Sequence, residues 1–262
     1  MQMTGPLENL LSDAGMCPIF RRIGVIGDSL SSGEHESLID GQIGWHDYYE
    51  YSWGQFMARA CGSTVYNFSC GGLMARDFLL RIREPRFNIW DPQQRCQAYI
   101  IALGVNEILH NLRGEMYMGT VSDIHPDAPE KNAATFCGYM GRILSALKVI
   151  KPKCRIFLMT MPRGIAEPLQ PLEKLHAQLI REMAKLFDFT YVIDFYEHAC
   201  VYDEEFRRVY YVGDHLNAMG CLLTAKMTMT YIDHIIRENP ADFAQVGFIG
   251  REQDMHHEKY VW

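Results

Sequence analysis

Short apolar runs and amphipathic stretches alternate along the chain. Arg22–Gly27 (RIGVIG) is a β-branched run that ends in a glycine, and residues 65–69 form a second short run. Residues 98–103 (AYIIAL) are apolar throughout, as a strand covered on both faces requires. Residues 155–161 and 189–195 complete five strand-like runs. Between them the period changes to that of a helix. Residues 52–60 fit a helix with Ser52 as N-cap and Gly62 as its stop, and another helix begins near Met74. Phe136, Met140, Ile143, Leu147 and Ile150 recur at steps of four and three. So do Leu172, Leu175, Leu179, Met183 and Leu186. A last stripe runs through Ala218, Leu222, Ala225, Met229, Ile232 and Ile236, with Pro240 beyond its end.

Five strands separated by helices predict one doubly wound α/β domain: a parallel sheet with right-handed crossovers and helices on both faces. The domain spans residues 20–239, with 1–19 as an N-terminal extension and 240–262 as a C-terminal tail packed on the same domain. Residues 110–131 follow a strand and lack periodicity. In such folds the loops at the carboxyl ends of strands line the ligand crevice.

Composition narrows the function classes. With 48% hydrophobic and 22% charged residues, the 262-residue chain can bury a core and is not disordered. Its 25 Lys and Arg against 32 Asp and Glu give a net charge of −7, which argues against nucleic acid and against an anionic membrane surface as partners. No apolar stretch approaches the ~20 residues of a membrane helix. An N-terminus carrying Glu8 and Asp13 does not fit an export signal, so the expected location is the cytoplasm. Eight irregularly spaced cysteines fit reduced, mostly buried thiols. His256-His257-Glu258 lacks the spacing of a metal site, and no phosphate-binding glycine loop is present, so neither metal nor cofactor is expected.

Candidate chemistry collects at the carboxyl ends of the predicted strands. The first strand runs into Gly27-Asp28-Ser29-Leu30, which places a hydroxyl at the mouth of the crevice. The second is followed by Asn67-Phe68-Ser69-Cys70-Gly71-Gly72, the third by Gly104-Val105-Asn106-Glu107, and Gly213-Asp214-His215-Leu216-Asn217 precedes the last helix. A hydroxyl, an exposed amide, a carboxamide and an imidazole are the parts of an acyl-transfer site.

In this order the four blocks resemble the SGNH (GDSL-type) esterases and lipases, over roughly residues 23–225. The resemblance implies a flavodoxin-like three-layer α/β/α sandwich and cofactor-free ester hydrolysis. It makes Ser29 the nucleophile, the Gly72 amide and the Asn106 carboxamide oxyanion donors, and His215 the general base. Gly72 fits the family spacing better than Gly71.

Two positions depart from the family pattern, and the first is mild: Glu107 follows Asn106 where the family usually has Asp. The acid expected three residues before the histidine is replaced by Val212. Asp214 adjoins His215 and is the nearest candidate, although neighbours in an extended loop point apart. Asp203, Asp194 or Glu197 reaching through space, or a backbone carbonyl, are alternatives. Trp45 and His46 lie in an aromatic cluster with Tyr48, Tyr49, Tyr51 and Trp53 and are candidates for substrate contact. Cys70 has no evident basic neighbour in the sequence. The expected substrate is a small carboxylic ester with a short acyl group, such as an O-acetylated carbohydrate. Thioesterase or lysophospholipase chemistry, acyl transfer, and a non-catalytic binding protein on the same scaffold are the rivals.

Overall fold

The structure, a computed structural model, describes residues 2–248. Its strands are β1 (Arg22–Gly27), β2 (Glu34–Ile39), β3 (Gln42–Asp47), β4 (Thr64–Ser69), β5 (Ala98–Ala102), β6 (Arg155–Met159), β7 (Thr190–Ile193), β8 (Tyr211–Val212) and β9 (His215–Leu216). The α-helices are α1 (Ser29–Ser32), α2 (Trp53–Cys61), α3 (Ala75–Arg81), α4 (Val105–Leu112) and α5 (Phe136–Ile150). They continue with α6 (Gln170–Ala184), α7 (Phe195–His198), α8 (Glu204–Tyr210), α9 (Ala218–Glu238) and α10 (Pro240–Phe243).

Five of the strands form a parallel sheet in the order β4-β1-β5-β6-β7. Counting those five alone, the order is 2-1-3-4-5, so the winding reverses between β1 and β5 and a crevice opens at their carboxyl ends. Successive residues of each strand feed opposite cores. Val25, Ile100, Phe157 and Ile193 pack with Met57 of α2 and Met229 and Ile232 of α9. Ile26, Phe68, Ile101 and Leu158 pack with Phe78, Phe136, Leu144 and Ile180 from α3, α5 and α6. The result is the expected three-layer α/β/α sandwich. Among the described residues no helix is long and apolar enough to cross a membrane.

Local rules account for the element ends. Ser52 Oγ accepts from the Gln55 amide at 3.3 Å, and Gly62 closes α2 in the left-handed conformation, as their residue types predict. The run at 189–195 is shorter than expected, because Asp194 caps α7 and turns the chain into a helix after Ile193. The run at 155–161 likewise ends at Met159. The stripe on α6 is rotated: Glu173, His176, Leu179, Ile180 and Met183 are buried, while Leu186 lies past the helix and is exposed. On α9, Leu222 is exposed and its neighbours Cys221 and Leu223 face the core. Seven of the eight cysteines are buried, Cys70 is half-buried, and all are free thiols.

Leu7 and Cys17 join the same core as the sheet. At the other end Phe243 of α10 stacks on Phe157 and meets Phe20 edge-on. Residues 249–262, including His256-His257-Glu258, lie outside the described residues.

One buried tie fixes the crevice. Gly104 precedes α4 with φ 145°, and a Cβ there would overlap the His176 ring. His176 is fully buried; burial pushes its pKa down to about 4, so the neutral ring donates from Nε2 to the Leu103 carbonyl at 3.0 Å. One turn on, the buried Glu107 accepts the Ala75 amide at 2.6 Å and joins α4 to the start of α3. Its Oε2 is buried without a partner. Burial, only partly offset by the Ala75 amide, pushes its carboxyl up to about 7.

Two outcomes test this account. Because the folded-state value of Glu107 lies above its ordinary 4.5, the stability tied to its neutral form is full below that value and lost as pH rises through about 7. Glu107→Gln keeps an acceptor for Ala75 and removes the titration. Urea denaturation should show it more stable than wild type by roughly 3 kcal/mol at pH 8, with no such gain at pH 4. Phe243→Ala should cost about 3 kcal/mol in the same assay, since it vacates a buried aromatic position.

Candidate active site

Ser29 opens α1 at the carboxyl end of β1. Asp28 sets it there as the N-cap: its Oδ1 accepts the Leu30 amide at 3.0 Å, and its carbonyl takes the Ser31 and Ser32 amides. Burial pushes the Asp28 carboxyl up to about 7, against the Leu30 amide and the charge of His215. At the end of β4 the exposed Gly72 turns the chain with φ 68°. Asn106 lies in the first turn of α4, where its Nδ2 donates to the Leu73 carbonyl at 3.2 Å. A carboxamide has two such hydrogens, so one stays free for a ligand. His215 sits on β9, opposite Val212 and just before Asn217, the N-cap of α9. Ser29, Gly72 and Asn106 lie just past the carboxyl ends of β1, β4 and β5, and His215 lies on β9 shortly before α9.

The element the sequence reading does not foresee is the β2–β3 hairpin. Its strands pair antiparallel from Glu34↔Asp47 to Ile39↔Gln42. The turn is Asp40-Gly41, with φ of 52° and 76°, the two positive values that a two-residue hairpin turn takes. The hairpin brings Glu36 to His215. Glu36 Oε1 lies 2.5 Å from His215 Nδ1 and accepts the Asp214 amide at 2.9 Å, in a side chain only 8% exposed. Desolvation alone would raise this carboxyl. The hydrogen bonds from His215 and the Asp214 amide, with the charges of His215 and Arg207, outweigh it and hold Glu36 below the usual carboxylate range. Gly213 makes the approach possible, because a Cβ there would overlap the Glu36 carboxylate and its φ is +61°.

Glu34 flanks the other side of the same ring. Its Oε1 lies 3.2 Å from His215 Nε2, with the side chain 20% exposed. A Cβ added to Gly71 would overlap Glu34 Oε2, so this carboxylate also lies against the glycine loop.

The acid at the imidazole is therefore Glu36 and not Asp214. The Asp214 side chain is 89% exposed and pairs with Arg207 at 2.9 Å, pointing away from its neighbour's ring. The other candidates are engaged elsewhere. Asp203 caps α8, Asp194 caps α7 and pairs with Arg181 at 2.6 Å, and Glu197 lies 3.7 Å from the same arginine. The aromatic cluster divides. Trp53 is core and the Tyr49 hydroxyl donates to the Val65 carbonyl at 2.7 Å, so both are packing residues. Trp45 stands opposite Glu36 in the register, on the same face of the hairpin, and is 61% exposed. His46 is on the opposite face, with Nε2 2.7 Å from Ser37 Oγ, and does not face His215. Tyr48, Tyr51 and His35 line a cleft of about 180 Å³ beside Glu36. Cys70 does have a basic neighbour: Arg81 Nη1 donates to its sulfur at 3.2 Å. Among the described residues no group of three or more His, Cys, Asp or Glu could hold a metal ion.

The sequence over residues 25–221 matches the model of the GDSL-like lipase/acylhydrolase family. No curated protein matches the chain in sequence. Solved structures with the same fold include a family two carbohydrate esterase from Clostridium thermocellum in complex with cellohexaose. That protein is 15% identical with a TM-score of 0.60, over 82% of this chain and 64% of the other. An acetyl xylan esterase, AlAXEase, is 14% identical with a TM-score of 0.52, over 80% and 99%. An acetylxylan esterase from Geobacillus stearothermophilus is 18% identical with a TM-score of 0.50, over 81% and 94%. The structural likenesses establish a shared fold. The sequence match covers most of the sandwich and all four strand-end blocks: this chain belongs to the GDSL-like lipase/acylhydrolase family and is a carboxylic ester hydrolase.

Proposed function

We propose that the protein hydrolyses short-acyl esters, with O-acetylated carbohydrates as the substrate class, through an acyl-enzyme on Ser29. The observation that carries this reading is the Glu36 carboxylate on His215 Nδ1. A carboxylate on Nδ1 fixes the tautomer that leaves Nε2 as the base, and it stabilises the imidazolium that forms when Nε2 takes a proton. Glu36 thus answers the objection raised by Val212, that a scaffold without an acid is a binding protein.

In this mechanism His215 Nε2 removes the Ser29 proton as the hydroxyl oxygen attacks the ester carbonyl. The tetrahedral oxyanion accepts hydrogen bonds from the Ser29 and Gly72 amides and the free Asn106 N–H. His215 then returns the proton to the departing alcohol. Water, activated by the same nitrogen, releases the acid and restores Ser29. Glu36 touches no reacting atom and acts as a positioning residue for His215. The carbohydrate preference rests on the esterases of known structure that share the fold and on Trp45, an exposed ring on the face of the hairpin that carries Glu36.

Turnover of p-nitrophenyl acetate and of acetylated xylo-oligosaccharides tests the reading. Ser29→Ala should abolish both, together with the single covalent adduct that a fluorophosphonate leaves on wild type. Glu36→Gln should lower kcat by about 10⁴, the loss found when the acid of such a relay is made an amide. Asp214→Asn should stay within about threefold of wild type, because its exposed pair with Arg207 lies off the ring. A deep loss in Asp214→Asn with little in Glu36→Gln would reverse the assignment.

A further inference from the structure

His215 is held between two carboxylates, and only one of them has a place in the mechanism above. Glu36 takes Nδ1 at 2.5 Å; Glu34, two residues earlier on the same strand, lies 3.2 Å from Nε2. Alternation along a strand puts Glu34 and Glu36 on one face, so both reach the ring from a single rigid element. Nε2 is the nitrogen that must take the Ser29 proton. Glu34 Oε1, at 3.2 Å, is the carboxylate oxygen in ion-pair contact with it. The same carboxylate lies against Gly71, the residue next to Gly72.

We propose that Glu34 is a second positioning residue that competes with Ser29 for His215 Nε2. The site rests as a Glu34–His215–Glu36 clamp and becomes a Ser29–His215–Glu36 relay when an ester entering beside Gly71 displaces the Glu34 carboxylate. This rests on the hydrolase reading for its catalytic consequence and on geometry alone for the clamp.

The protons balance as follows. A carboxylate beside each ring nitrogen favours the imidazolium, which carries a proton on both. On displacement the Nε2 proton leaves with Glu34 and passes to water. The neutral imidazole, still donating from Nδ1 to Glu36, then has a lone pair for the Ser29 proton. Other charged groups face the ring as well. Asp28 approaches from the start of α1 and Arg207 of α8 acts on Glu36 and pairs with Asp214, while His35 points to the other face of the strand and burial favours its neutral form. Removing Glu34 leaves all of these in place and deletes the anion nearest Nε2.

The test compares full-length wild type with Glu34→Gln and Glu34→Ala, each checked for folding by circular dichroism. In ¹H–¹⁵N spectra with ¹⁵N-labelled histidine and no ester present, wild-type His215 should show two ring N–H protons in the clamp. The variants should keep only the one directed at Glu36. In turnover of p-nitrophenyl acetate, the pH of half-maximal kcat/KM should fall by about one unit in both variants, so that on the acid limb they exceed wild type about tenfold. Fluorophosphonate labelling of Ser29 should quicken by the same factor there. A single ring N–H in wild type, or variant profiles that overlay the wild-type one, would overturn the clamp. The spectra do not depend on turnover. Two ring N–H signals in a protein whose Ser29→Ala variant is equally active would therefore sink the hydrolase reading and leave the clamp standing.

Discussion

The contact between Glu36 and His215 joins residues 179 positions apart, and the geometry of the crevice depends on it. His215 lies on a two-residue strand, which offers little packing to hold a ring at a fixed angle. A hydrogen bond at Nδ1 supplies that angle and selects the tautomer. The dependence runs the other way as well. A carboxylate as enclosed as Glu36 is costly to bury unless it finds donors, and it finds them in the imidazole, the Asp214 amide and the field of Arg207. The β2–β3 hairpin and the loop before α9 therefore stabilise each other. Gly213 is where they meet, and only a residue without Cβ leaves room there.

The carboxylates around the crevice show how partners decide what burial does. Asp28 and Glu107 receive mainly backbone amides, and desolvation wins, pushing both up to about 7. Glu36 is also desolvated, but it faces an imidazole and lies within reach of Arg207, so the opposite shift results. At about 1.4 kcal/mol for each pH unit, these differences separate two kinds of work. Asp28 and Glu107 tie backbone segments together, one capping α1 and the other joining α4 to α3. Glu36 supplies a charge where a proton is to be held.

Whatever followed from repetition was legible in the sequence. Strands buried on both faces, such as 98–103, and the long stripes of α5 and α9 carry many residues that say the same thing, so errors at Leu186 or Leu222 shift a face without changing the architecture. The strand-end blocks were legible because a parallel sheet gathers its carboxyl ends by construction. The hairpin was not, because Glu34-His35-Glu36-Ser37 has no apolar period and its order comes from partners elsewhere in the fold. One local signal was available: Asp40-Gly41 between Leu38-Ile39 and Gln42-Ile43 is a strong two-residue turn sequence. It identifies the turn but not the partner, and no spacing rule connects Glu36 with a histidine that far along the chain.

The source of the acid changes how the site responds to its surroundings. An acid three residues before the histidine would share its loop and move with it. Here the corresponding residue, Val212, is only the cross-strand neighbour of His215, and the carboxylate comes from a hairpin with an exposed apolar tip at Leu38, Ile39 and Ile43. Glu34, Glu36 and Trp45 are carried by that hairpin, on one face of it. A tilt that draws Glu34 off Nε2 must also move Glu36 at Nδ1 unless the strand pivots near Glu36. The Asp214 amide provides such a pivot, since it holds Glu36 Oε1 independently of the ring. The hydrogen bond to a residue that looked like the acid thus has a use of its own: it keeps one carboxylate fixed while the other gives way.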